Sequence, residues 1–114
     1  ESAKLLKKWL NQTQKDMPLI LTGDFNADKE STAYRLLTGQ GMLFDAYRQV
    51  RPNGKDEATF HGFGKSEQMT SIDWVLFSRH FNVTEAKVDR THVGEHYPSD
   101  HYPVTVTVNW KEKM

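Results

Sequence analysis

Asp24 and Asn26 stand two positions apart just after a short apolar run, and at that spacing a carboxylate and a carboxamide face one pocket if the backbone stays extended. Such a pair can orient or deprotonate an attacking water while the amide donates to a phosphoryl oxygen, chemistry suited to hydrolysis of a phosphate ester. Gly-Asp and Asn are also ordinary turn formers, so the same string fits a plain turn. Asp73 sits in Ser71-Ile72-Asp73-Trp74-Val75-Leu76-Phe77, a stretch otherwise made for burial. A carboxylate there needs a cation or several donors, unless it lies on the polar face of an edge strand. Ser99-Asp100-His101 follows Pro98 and precedes an alternating segment. His101 can act as acid, base or phosphate ligand, Asp73 can fix its tautomer, and Asp100 can offer oxygen to a hard cation. A shared site requires Asp24, Asn26, Asp73, Asp100 and His101 to converge, and Asp73 to pair with His101.

The elements that must position these residues are readable in outline. Residues 2–14 place Leu5, Leu6, Trp9 and Leu10 on one stripe, with Lys4, Lys7 and Lys8 on the wet side, which predicts an amphipathic helix. Leu19, Ile20 and Leu21 predict a central strand covered on both faces, with Asp24 emerging at its end. Ser31 caps a helix carrying Tyr34, Leu36 and Leu37, closed by Gly39, and a short helix or turn covers 43–50. Strands are predicted over 58–61, 71–78, 82–90 and 103–110. In the last, Val104, Val106, Val108 and Trp110 alternate with Thr105, Thr107 and Asn109, so it should pair antiparallel with a neighbour. Trp9, Trp74 and Trp110 are read as core residues, and His92 and His96, around Gly94, as exposed loop.

With 114 residues, no repeat and no linker, the chain reads as one unit. Basic and acidic residues number 15 each, so no whole-domain positive field favours a nucleic-acid backbone. No cysteine is present, so any metal is held by oxygen or imidazole ligands. The longest apolar run is far below the roughly 20 residues that span a bilayer.

The chemistry-bearing strings come in one order: Gly23-Asp24-Phe25-Asn26, Thr59-Phe60-His61-Gly62-Phe63, Ser71-Ile72-Asp73-Trp74, and Ser99-Asp100-His101-Tyr102-Pro103-Val104. In that order the chain closely resembles the C-terminal half of the endonuclease/exonuclease/phosphatase superfamily, from the first predicted strand to the last. The resemblance implies an α/β (α+β) fold, the C-terminal half of a four-layer sandwich, mostly antiparallel sheet with flanking helices, over residues 1–114. It implies a divalent-metal-dependent hydrolase of phosphate esters using Mg2+ or Mn2+. Asp24 would position or activate water, Asn26 would steady nucleophile and phosphate, and Asp73 would orient His101. His101 would contact the phosphate or move a proton, Asp100 with Asp24 would bind metal, and His61 would touch substrate. The substrate would be a nucleic acid, phospholipid or sugar phosphate. Nothing before Gly23 matches the asparagine, metal-binding glutamate and second histidine of the superfamily's first half. The expectation is therefore a chain lacking that half, whose exposed sheet face is covered by it or by a second copy. The alternative is an incomplete fragment acting as a binding module.

Overall fold

The computed structural model describes residues 2–13, 17–39, 43–53, 57–63 and 70–111. Helix α1 (Ser2–Thr13) is followed by β1 (Ile20–Asp24), α2 (Thr32–Thr38), β2 (Phe44–Asp45), α3 (Ala46–Val50), β3 (Asp73–Phe77), β4 (Phe81–Val88) and β5 (Val104–Trp110). Two antiparallel sheets result, one ordered β1-β3-β2 and the other pairing β4 with β5. This is the mixed, mostly antiparallel architecture expected from the sequence.

Alternation along β3 sends side chains into two cores. Trp74 and Leu76 face one way and join Leu37 and Leu43, with Leu6, Leu19, Leu21 and Phe25 packed around them. Phe77 faces the other way and joins Ala46 and Phe81, against Val75, Val83, Val106 and Val108. Tyr47 extends this second layer to Ala86 and Val88. The central strand thus bridges the α1/α2 layer and the β4/β5 sheet, and its first residue is Asp73.

The start of α2 follows the expected chemistry, because Ser31 accepts a hydrogen bond from the Tyr34 amide. Gly39 ends it for a reason other than left-handed freedom. Its φ is -79°, and a Cβ there would stand 2.5 Å from the Arg35 carbonyl oxygen. Residues 43–50 divide into β2 and α3, with Asp45 as the N-cap accepting from the Arg48 amide. The described part of the first helix ends at Thr13, and Gln14 lies outside the described residues.

Three expectations need correction. The strand β1 lies at the edge of its sheet, not the centre, and Ile20 is 41% exposed while Leu21, like Leu19 before the strand, packs against the core. Apolarity over a short run cannot distinguish these positions. No strand forms over 58–61. Phe60 makes isolated bridges to Thr70 and His101, and the positive φ angles of Gly62 and Phe63 turn the chain away. Of the three tryptophans only Trp74 is core, since Trp9 is 47% and Trp110 65% exposed, the latter resting on Phe81 at 4.6 Å between ring centroids.

Ile20 and Thr22 of β1 are exposed, beside their register partners Phe77 and Val75 on β3. Open apolar strand faces drive association. The 114-residue chain by itself is expected to sediment with a mass above that of one copy at micromolar concentration. A single-copy mass throughout the concentration range would count against an unsatisfied face.

Candidate active site

Each side chain of the site is delivered by a different local device. Asp24 is the last residue of β1 and lies opposite Asp73, the first residue of β3, in the antiparallel register. Beyond Asp24 the chain does not stay extended: the Phe25 amide donates to the Ile72 carbonyl at 2.8 Å, and Asn26 adopts a φ of 52°. The Asn26 amide donates to Asp24 Oδ1 at 2.9 Å, closing an Asx turn. Asparagine tolerates the left-handed conformation that this turn requires. Phe25 locks the turn to the core by stacking on Trp74, with centroids 4.4 Å apart and planes 13° from parallel. Turn and site are therefore the same structure, and the extended presentation of Asn26 predicted from its spacing does not occur.

His101 is presented by a clamp on its backbone. The amides of His61 and Gly62 donate to the Asp100 carbonyl at 2.9 and 3.2 Å, and the Tyr102 amide donates to the Thr59 carbonyl at 2.6 Å. Thr59 is fully buried, and its Oγ1 accepts from the amides of Ile72 and Asp73 at 3.1 and 3.2 Å. One threonine thus ties the segment holding His101 to the start of the strand holding Asp73. Thr59→Val removes the acceptor at nearly constant volume and strands two amides, so it should destabilise the fold by about 1–3 kcal/mol in urea unfolding, with Thr59→Ser retaining most of it. Equal stability of Thr59→Val and the parent would refute the clamp.

The result is an imidazole flanked by carboxylates. His101 Nδ1 lies 2.6 Å from Asp73 Oδ2, and its Nε2 lies 3.8 Å from both Asp24 Oδ2 and Asp100 Oδ1. The first contact is a charge-assisted hydrogen bond, whereas the other two exceed hydrogen-bond reach and act through charge. The Asp73 bond, followed by the charges of Asp73, Asp100 and Asp24, raises the His101 pKa against the opposing effect of burial. A raised pKa means that the associated stability is fully present below the ordinary histidine range and is lost as pH climbs through the folded value. The predicted pairing of Asp73 with His101 is present, on a central strand rather than an edge. Asp24 and Asp100 are close to the same ring, and Asn26 follows in the turn.

His61 is 2% exposed, and its ring packs against Tyr102 and Tyr97 at 4.2 and 4.6 Å, in the wall of a hollow that it shares with Ser99 and His101. The motif around it serves the site through its backbone. His92 and His96 are exposed loop residues, as expected, with His92 stacked on Tyr97 at 4.2 Å.

Sequence reasoning missed a buried charge network beside the Asp24 turn. Lys29 Nζ lies 2.8 Å from Asp45 and 3.2 Å from Glu57, with its side chain 4% exposed. Arg48 grips Glu57 with two nitrogens at 3.0 and 2.7 Å, and Tyr34 donates to Asp45 at 2.7 Å. Burial, then the Asp45 hydrogen bond, pushes the Tyr34 hydroxyl far above its usual range. The network pins the loop after Asn26 to the α3 cap and to the segment leading into Thr59.

A cavity of about 320 Å³ runs past these residues, lined by Thr22, Asp24, Asp73, Ser99, His101 and Tyr102 among others. Residues 3–101 match the family described as Endonuclease/Exonuclease/phosphatase. The chain belongs to that family. Over 127 aligned residues it is 28% identical to mouse nocturnin, covering 99% of this chain and 30% of that protein. Among solved structures it resembles a mannosyl-6-phosphatase from Bacteroides thetaiotaomicron, with a TM-score of 0.78, 31% identity, and coverage of 96% of this chain and 45% of that one. It also resembles the human nocturnin catalytic domain with a bound sulfate anion, with a TM-score of 0.67, 28% identity, and coverage of 94% and 38%. The chain therefore spans less than half the length of each of these three relatives. Among the described residues no helix is long and apolar enough to cross a membrane.

Proposed function

We propose that the protein containing this chain hydrolyses phosphate esters with a divalent cation, and that Asp24, Asn26, Asp73, Asp100 and His101 form its side of the site. The observation that supports this most is the His101 ring, bonded to Asp73 on one nitrogen and facing Asp24 and Asp100 with the other. Membership of a family of nucleases and phosphatases gives the reaction class, and a neighbour carrying sulfate is consistent with an oxyanion site.

In this reading Asp73 holds the tautomer of His101 and stabilises its charged form, so that Nε2 can contact a phosphoryl oxygen or hand a proton to the leaving group. Asp24 orients the attacking water and accepts its proton, and the Asn26 amide steadies nucleophile and phosphate. The donors fit a hard cation: ligand atoms of Asp24, Asp73 and His101 lie within 4.8 Å of one another. Because His101 and Asp73 already satisfy each other, Asp24 and Asp100, with side chains 43% exposed, would be the oxygen ligands for Mg2+ or Mn2+. Such a cation would neutralise charge developing on the phosphoryl oxygens. The superfamily's metal-binding glutamate would come from the part of the domain preceding this chain. A family member retaining the fold as a binding module would show neither turnover nor Mn2+ binding at this site.

The test is phosphate release from a panel of nucleotide, sugar and lipid esters by the full-length protein, beside Mn2+ binding followed by electron paramagnetic resonance. Release that disappears in Asp24→Asn, together with weakened Mn2+ binding, supports the proposal. Absence of release from every ester would leave the binding module.

A further inference from the structure

Lys29 stands between the two halves of the site. The turn carrying Asp24 and Asn26 is held at its front by the Phe25 amide, which donates to the Ile72 carbonyl at 2.8 Å, and by the Phe25 ring on Trp74. Behind it the loop folds tightly, the Asp28 carboxylate accepting from the Glu30 amide at 2.9 Å and the Asp28 carbonyl from the Ser31 amide at 3.2 Å. Lys29 lies inside this loop with its side chain 4% exposed, and its ammonium reaches Asp45 at 2.8 Å and Glu57 Oε1 at 3.2 Å. Glu57 leads directly into Thr59, the residue that clamps the segments of Asp73 and His101. Resting on the proposed phosphoesterase reading, we infer that Lys29 and Glu57 are a positioning pair for hydrolysis, fixing the separation between the Asp24 turn and the His101 imidazole.

A turn anchored at one point can pivot about it. Phe25 sets the distance of the turn from β3, and Lys29, at the other end of the loop, supplies the second point that removes the pivot. Small displacements matter here, because a shift of about 1 Å between groups that must meet a reacting centre costs up to about 100-fold in rate. Burying an ammonium is costly, and an apolar side chain would fill the same space without that cost. Apolar contact is non-directional, however, and would not tie the loop to one chosen carboxylate.

The two arms of Lys29 lead to different places. Asp45 caps α3 and receives the Tyr34 hydroxyl and the Arg48 amide, so that arm joins the loop to the helices. Glu57 is gripped by two Arg48 nitrogens at 3.0 and 2.7 Å, which makes its carboxylate a fixed point. From there the backbone enters Thr59, whose carbonyl accepts from the Tyr102 amide and whose Oγ1 accepts from the amides of Ile72 and Asp73. Cutting the Asp45 arm therefore loosens helix packing, whereas cutting the Glu57 arm frees the Asp24 turn from the His101 clamp. Stability and turnover are separable on this geometry.

The experiment compares kcat and KM of the full-length protein with those of Glu57→Ala, Glu57→Gln and Asp45→Asn, at a temperature where urea unfolding shows all four fully folded. Glu57→Ala should lower kcat about tenfold or more with KM changed only a few-fold, since no group touching substrate is lost. Glu57→Gln, whose side-chain oxygen still accepts from Lys29, should recover most of that loss. Asp45→Asn should cost stability yet leave kcat within about twofold of wild type. An unchanged kcat in Glu57→Ala, or equal losses in Glu57→Ala and Asp45→Asn, overturns the positioning role while leaving the phosphoesterase reading intact. If wild type hydrolyses no ester with Mg2+ present, the phosphoesterase reading has failed instead, and amide hydrogen exchange reads the tie. Exchange of the Phe25 and Tyr102 amides that quickens in Glu57→Ala relative to the amides of β3 upholds it, and exchange that keeps its wild-type pattern overturns it.

Discussion

Asp73→Asn in the full-length protein should lower kcat by about 100- to 10,000-fold with KM changed only a few-fold. The exchange preserves shape, so binding surfaces survive. What changes is the bond at 2.6 Å to His101 Nδ1: an amide can present its NH2 to that nitrogen and select the wrong tautomer, and it no longer stabilises a charged ring. Since that bond is the largest cause of the raised His101 pKa, the ring's NMR titration in metal-free protein should move to lower pH. Unchanged kcat would refute the assigned role, and unchanged titration would refute the pairing as its cause.

Lys29→Met should cost about 3–5 kcal/mol of folding stability, because it leaves Asp45 and Glu57 without their shared cation. Asp45 suffers most, with its side chain 5% exposed and, among the described residues, the Tyr34 hydroxyl and the Arg48 amide as its remaining hydrogen-bond donors. Glu57 keeps Arg48 and should suffer less. Neutralising the stranded partner in Lys29→Met/Asp45→Asn should therefore recover part of the loss, although the new amide is itself a weaker partner. Urea unfolding measures both. A single-variant loss below about 1 kcal/mol, typical of exposed ion pairs, would mean that the network is effectively solvated.

The contrast between these residues shows what a sequence displays. Asp73 was conspicuous because an acid interrupts an apolar strand, and that anomaly demanded a partner such as His101. The final strand was equally plain, since its valines and threonines alternate with the period of the pleat. Lys29 and Glu57 are unremarkable in composition, and their 28-residue separation carries no periodicity, so only the folded chain pairs them. Thr59 was visible as part of a motif, but its task of receiving two amides depends on where strand β3 begins. Misplacing β1 at the sheet centre and Trp110 in the core had a common cause: local apolarity reports that a face can be buried, not what lies against it. The Asn26 error was geometric, because side-chain alternation holds only while the strand continues, and this one ends at Asp24.

The central claim is that carboxylates and imidazole gathered at the ends of β1, β3 and the 99–101 segment form the working side of a cation-dependent phosphoesterase. Its most direct test is the initial rate of phosphate-ester hydrolysis by the full-length protein in Mg2+, after EDTA, and after Mg2+ or Mn2+ is restored. The account predicts turnover that is abolished by chelation, returns with the cation, and stays near background in His101→Asn under all three conditions. Turnover that survives EDTA, or that His101→Asn leaves at the wild-type rate, would contradict it.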